Sequence, residues 1–170
     1  MGRLTRKRPA AGKGLTIIEM VVVIVVLGMA IPPLLTSWAN IAWRSARSES
    51  LADAAFYAQA LMEEIKSKRF DQRTTAPWTA SADLGPDSGE NSNNKDSFND
   101  VDDFLGCIDT KVTSPAASYN RSATVNYAAL SGTTWQDSAS ITNFKRITVT
   151  VSRSDGLAND VNLVTIVAAY

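Results

Sequence analysis

One carboxylate at the head of a long apolar run limits what this chain can become. From Leu15 to Leu35 the sequence reads LTIIEMVVVIVVLGMAIPPLL, interrupted only by Thr16, Glu19 and the Pro32-Pro33 pair. A run of that length after a basic segment predicts a membrane-crossing helix or the apolar part of a secretory signal peptide. Glu19 narrows the choice, because an ionised side chain facing lipid costs on the order of 2.5–3.5 kcal/mol on insertion scales. A cationic partner is therefore predicted for it. As helix, Leu15–Ile31 covers roughly 25 Å, short of the ~30 Å hydrocarbon core, and Leu34 and Leu35 extend it. Pro32-Pro33 removes two backbone donors and predicts a kink or local unwinding there. Trp38 and Trp43 follow where an aromatic belt would lie.

Charge supplies the orientation. Arg3, Arg6, Lys7, Arg8 and Lys13 place five positive charges, and no negative one, ahead of Gly14. Such a cluster before an apolar run predicts a cytoplasmic N-terminus. The chain holds 17 basic and 17 acidic residues; without those five, 12 basic face 17 acidic, a net −5. That balance argues against a nucleic-acid binder, which needs a basic face. The sequence has no histidine and one cysteine, Cys107. The commonest general base and metal ligand is therefore missing, and no enzyme activity or cofactor is expected. Cys107 reads as a small buried residue.

Four blocks follow from composition: a basic leader at 1–14, an apolar helix at 15–35, an amphipathic continuation at 36–70, and a loop-rich β head at 71–170. In the third block Leu51, Ala54, Ala55, Ala58, Leu61, Met62 and Ile65 recur at three- and four-residue steps, one stripe of a helix. Residues 80–100 are rich in turn formers and predict a long loop almost without core side chains. Strands are predicted at Ala123–Leu130, at Ile147–Ser152, where apolar and hydroxyl residues alternate, and at Val161–Ala168. The last two are expected to pair antiparallel. The expected fold is α+β, a long N-terminal helix whose second half packs on a small antiparallel sheet.

The stretch Gly14-Leu15-Thr16-Ile17-Ile18-Glu19, running on into MVVVIVVLG, resembles the N-terminal signature of the type IV pilin and type II secretion pseudopilin family. That signature is glycine, an apolar residue, threonine, two apolar residues, glutamate and an unbroken apolar run. Leu15 departs from the usual phenylalanine. The resemblance implies a pilin-like fold and a prepilin. A prepilin peptidase of the inner membrane cuts between Gly14 and Leu15, and the same enzyme methylates the new amine of Leu15. Glu19 pairs with the N-terminal amine of a neighbouring subunit, or of its own chain, as the helix enters a filament. The C-terminal head is then periplasmic, and the partners are the peptidase/methyltransferase and other pilin or pseudopilin subunits.

The segments Ala60–Asp71 and Phe98-Asn99-Asp100-Val101-Asp102-Asp103-Phe104-Leu105-Gly106 resemble minor pilins of the mannose-sensitive haemagglutinin (MSHA) pilus, the MshD type. More loosely, they resemble the minor pseudopilin I of type II secretion. An unprocessed membrane-anchored periplasmic domain is a further alternative. Asp100, Asp102 and Asp103, with Asp96 nearby, offer the oxygen ligands a Ca²⁺ ion takes, but without EF-hand spacing. The preferred reading is a solvated loop of turn-forming aspartates.

Overall fold

The computed structural model describes residues 14, 16–90, 94–109, 119–156 and 158–169. The chain divides into two compact units after Ser45, and helix α1, Ile17–Lys66, contributes to both. The observed layout is α+β.

In the first unit every described residue from Thr16 to Ser45 is exposed, including Ile17, Leu27, Leu35, Trp38 and Trp43. This part of α1 is long and apolar enough to cross a membrane. The local unwinding expected at Pro32-Pro33 does not occur, because helical residues continue through both prolines. Proline at these positions deprives the carbonyls of Gly28 and Met29 of their intrahelical donors. Thr36 adds a local bond, its hydroxyl donating to the Pro33 carbonyl at 2.9 Å.

In the second unit Ala54, Ala58, Leu61, Met62 and Ile65 of α1 are buried. Leu51 is only half-buried and Ala55 is exposed, so the stripe is narrower than its spacing predicts. The helix stops at Lys66, short of the expected residue 70. Tertiary pairing explains the stop: Arg69 forms a parallel bridge with Asp100, and the Val101 N–H donates to the Arg69 carbonyl at 2.9 Å. Extended pairing of that kind is incompatible with another helical turn.

The sheet contains β1 (Ile108–Asp109), β2 (Tyr119–Ser131), β3 (Thr134–Asp137), β4 (Phe144–Arg153) and β5 (Val161–Ala168). Its order is β1-β2-β4-β5, with β3 paired to β2, and every pairing is antiparallel. β5 has its expected bounds, and its pairing with β4 is the expected one. β2 and β4 extend beyond theirs, and β1 and β3 were not foreseen. The β2–β3 hairpin turns at Gly132-Thr133, where Gly132 takes φ +63°. A glycine there supplies the left-handed backbone a tight hairpin requires.

Alternation along β4 sends Lys145, Ile147, Val149 and Val151 inward. The three aliphatic residues join Ala123, Val125 and Tyr119 of β2 and the buried stripe of α1 in one core. Phe98, Val101 and Phe104 close that core from the connection before the sheet, with the Phe98 and Phe104 rings edge to face at 5.0 Å. Phe98 is the one described residue of 80–100 in that core, in line with a loop almost without core side chains.

Two substitutions on α1 test this packing. Leu61→Ala, at a fully enclosed position, is expected to cost about 2–5 kcal/mol, whereas exposed Ala55→Ser stays within about 0.5 kcal/mol. Urea titration of the detergent-solubilised protein, followed by tryptophan fluorescence, measures both.

Candidate functional site

Two groups of residues bear on function, one in each unit. The first is the start of α1. Thr16 precedes the helix, and its side-chain oxygen accepts the Glu19 N–H at 3.3 Å. The Met20 N–H donates to the Thr16 carbonyl at 3.1 Å. Thr-x-x-Glu is the spacing of a helix-capping box, and a carboxylate in the first turn suits the positive end of the helix dipole. Gly14 is exposed, and a Cβ added there would meet nothing within 4 Å. Packing among the described residues therefore does not require glycine at 14. Leu15, the expected cleavage and methylation position, lies outside the described residues.

The second group is a buried set of charges in the head. Asp71, Asp100, Asp102, Asp103 and Lys145 are each at most 3% exposed. This overturns the preferred reading of the aspartates as solvated: only Asp96 is exposed, its N–H bonded to Asn94 Oδ1 in a local turn. Burial follows from the aromatic residues on either side. Phe98, Val101 and Phe104 enter the core, and the short 3-10 turn Asp102–Phe104 carries the aspartates with them.

Lys145 lies on the inward face of β4, in phase with Ile147, so its ammonium must find acceptors inside the protein. It finds three. Lys145 Nζ donates to the Phe70 carbonyl at 2.7 Å, to Asp71 Oδ2 at 3.3 Å and to Asp102 Oδ1 at 2.5 Å. The Phe70 ring centroid lies 4.6 Å from the same nitrogen. Asp71 also accepts from the N–H groups of Arg73 and Thr79 and from the Thr79 hydroxyl. Burial works to raise the Asp71 pKa, but the Thr79 and Arg73 backbone donors, the Lys145 charge and the Thr79 hydroxyl together hold it below 3.8.

Asp100 and Asp103 are held differently. Asp100 Oδ1 accepts the N–H groups of Asp102 and Asp103, and Asp103 Oδ2 accepts those of Asn99 and Asp100. Neither carboxyl pairs with Lys145. Burial, reinforced by the neighbouring Asp102 and Asp103 carboxyls, pushes Asp100 up to about 8. Burial also pushes Asp103 up to about 6, against the pull of the Asp100 and Asn99 N–H groups.

Asp100, Asp102 and Asp103 therefore do not act together as one ligand set. Asp102 is committed to Lys145, and Asp100 organises the 3-10 turn. The Lys145 site was missed in the sequence, although carrying the β4 alternation one step upstream from Ile147 places a lysine in the core. Comparison with known protein families, with curated proteins and with solved structures finds no match to this chain.

Two outcomes check the charge network. Lys145→Met leaves Asp71 and Asp102 buried without their cation and is expected to cost about 3–5 kcal/mol in a urea titration. Asp71 has a depressed pKa, so its contribution to stability is complete above pH 3.8 and disappears as pH falls through its lower folded value. Asp71→Asn is expected to remove that acid-side loss, visible as a flatter stability–pH curve below pH 3.8.

Proposed function

We propose that this chain is a prepilin-type minor subunit, cleaved after Gly14, methylated at Leu15 and built into, or priming, an MSHA-like type IV pilus. The observation that carries this reading is the fully exposed apolar face of Ile17–Leu35, with one carboxylate, Glu19, in its first turn. An uncovered apolar helix needs lipid at one stage and can exchange it for neighbouring helices at the next. Cleavage at Gly14 would place a new cation four residues from Glu19. Pairing the two neutralises charges that an apolar surround penalises. Gly14 supports the same reading, since packing among the described residues asks for no glycine there. The head is then periplasmic, reached by a single span with its N-terminus in the cytoplasm, and the peptidase/methyltransferase and other subunits are the partners. The same processing and assembly chemistry would serve a minor pseudopilin of type II secretion.

The capping contact between Thr16 and Glu19 favours one other reading, a retained membrane anchor. There Thr16 caps the helix through the Glu19 N–H, and the Glu19 carboxylate does no more than suit the positive end of the helix dipole.

Mass spectrometry of the mature N-terminus in the membrane and filament fractions separates these readings. An N-methylated Leu15 is expected; a chain still carrying residues 1–14 sinks the prepilin reading. Glu19→Gln keeps a polar side chain while removing the charge. It is expected to leave cleavage intact and cut recovery in sheared filaments by at least about tenfold, equivalent to roughly 1.4 kcal/mol. Filament recovery equal to wild type would remove Glu19 from assembly.

A further inference from the structure

Beside the Lys145 network, three carboxylates meet. One oxygen from each of Asp87, Glu90 and Asp103 lies within 4.8 Å of the other two. Asp87 and Glu90 close a turn: the Glu90 N–H donates to the Asp87 carbonyl at 3.0 Å, and the Asp87 N–H donates to Glu90 Oε2 at 3.1 Å. Asp103 reaches them from the 3-10 turn Asp102–Phe104. Asp87 and Glu90 are half-buried, and Asp103 is fully enclosed at 0% exposure.

Asp103 supplies an independent pointer to a ligand. Its Oδ2 accepts two backbone N–H groups, from Asn99 at 2.8 Å and Asp100 at 2.9 Å. Its Oδ1 is buried and has no hydrogen-bond partner. An unmet buried acceptor is costly, more so when it belongs to a charged group. The Glu90 carboxyl stands within hydrogen-bond reach of the Asp103 carboxyl, so the two must share either a proton or a cation, and it adds like charge. Among the described residues Lys145 is the one fully buried basic side chain, and Asp71 and Asp102 already hold it. Among the described residues no other fully buried basic side chain is left to balance these three carboxylates.

We propose that Asp87, Glu90 and Asp103 bind a calcium-class divalent cation, which clamps the Asp87–Glu90 turn onto the Asp102–Phe104 turn. The chemistry of the donors fits a hard cation with oxygen ligands. Calcium holds its ligands at about 2.3–2.6 Å, so oxygens on opposite sides of it stand about 5 Å apart, close to the spread of these three groups. Three carboxylates supply at least three oxygens, although Glu90 Oε1 and Oε2 also accept from Asn99 Nδ2 and the Asp87 N–H. Water completes the shell from the half-buried Asp87–Glu90 side. Asp103 is the inner ligand because its free oxygen is the one that solvent cannot satisfy. The set shares only Asp103 with the grouping visible in the sequence. Its outcome is independent of whether the chain enters a filament.

Thermal unfolding of the full chain in detergent, stripped of metal with a chelator, tests the site, using calcium chloride alone as the probe. About 5 mM calcium, enough to saturate a site in the 10⁻⁴–10⁻³ M range, is expected to raise the midpoint by at least about 4 °C. Glu90→Gln and Asp87→Asn, both at half-buried positions, are expected to melt at or above the wild-type midpoint in chelator, because each relieves repulsion. Each is also expected to weaken the calcium response at least about tenfold in apparent affinity. No midpoint shift in the wild type overturns the proposal. So does an equal shift from magnesium, which would indicate general screening, or an unchanged calcium response in Glu90→Gln.

Discussion

Lys145 Nζ, enclosed by the Phe70 carbonyl, Asp71 and Asp102, is the interaction on which the rest of the head depends. It joins β4, the segment just beyond α1, and the turn before the sheet. A lysine ammonium can donate three hydrogen bonds, and all three are accepted within the protein. The energetic weight lies in the alternative: withdraw any partner and a charge remains in a space water does not reach. Hydrophobic packing of α1 on the sheet is non-directional by comparison. The ion pairs are directional, and they hold Asp71 and Asp102 against one point of β4.

The buried aspartates show how one residue type takes different states within one small head. Asp71 and Asp102 are paired with a cation. At Asp100 burial and the adjacent carboxyls favour the protonated form and lift the pKa to about 8. Asp103 lies between these cases. Two backbone donors stabilise its charge, burial opposes it, and one oxygen has no partner. A divalent cation shared with Asp87 and Glu90 would resolve that position as Lys145 resolves Asp102. These states follow from which donors the fold brings to each oxygen, since the four side chains are chemically identical.

The two units meet different physical demands. Among its described residues the head buries its apolar side chains and satisfies most of its buried polar groups internally, with one oxygen each of Asp100 and Asp103 as exceptions. The stretch Ile17–Leu35 leaves its apolar surface open and satisfies its backbone within the helix except at the Gly28 and Met29 carbonyls, opposite Pro32 and Pro33. An exposed apolar surface of that extent calls for a non-aqueous surround. Within the reading as a filament subunit, lipid provides it before assembly and neighbouring helices afterwards.

Much of this was legible residue by residue. The apolar run beginning at Leu15, the stripe from Ala54 to Ile65, and the alternation from Ile147 to Ser152 report local periodicity, and periodicity survives in any context that buries one face. Gly14 and Glu19 stood out because each breaks the composition around it. The sequence could not show that α1 ends at Lys66, because a bridge to Asp100, distant along the chain, stops it. Nor could it show that Asp100, Asp102 and Asp103 are buried, since aspartates among turn formers look alike in solvent and in a core. Only the tertiary structure brought Lys145 against Asp71 and Asp102, and Asp103 against Asp87 and Glu90. Periodicity tells which way a side chain faces; whether a charge is tolerable there depends on a partner from elsewhere in the chain, and that pairing is non-local.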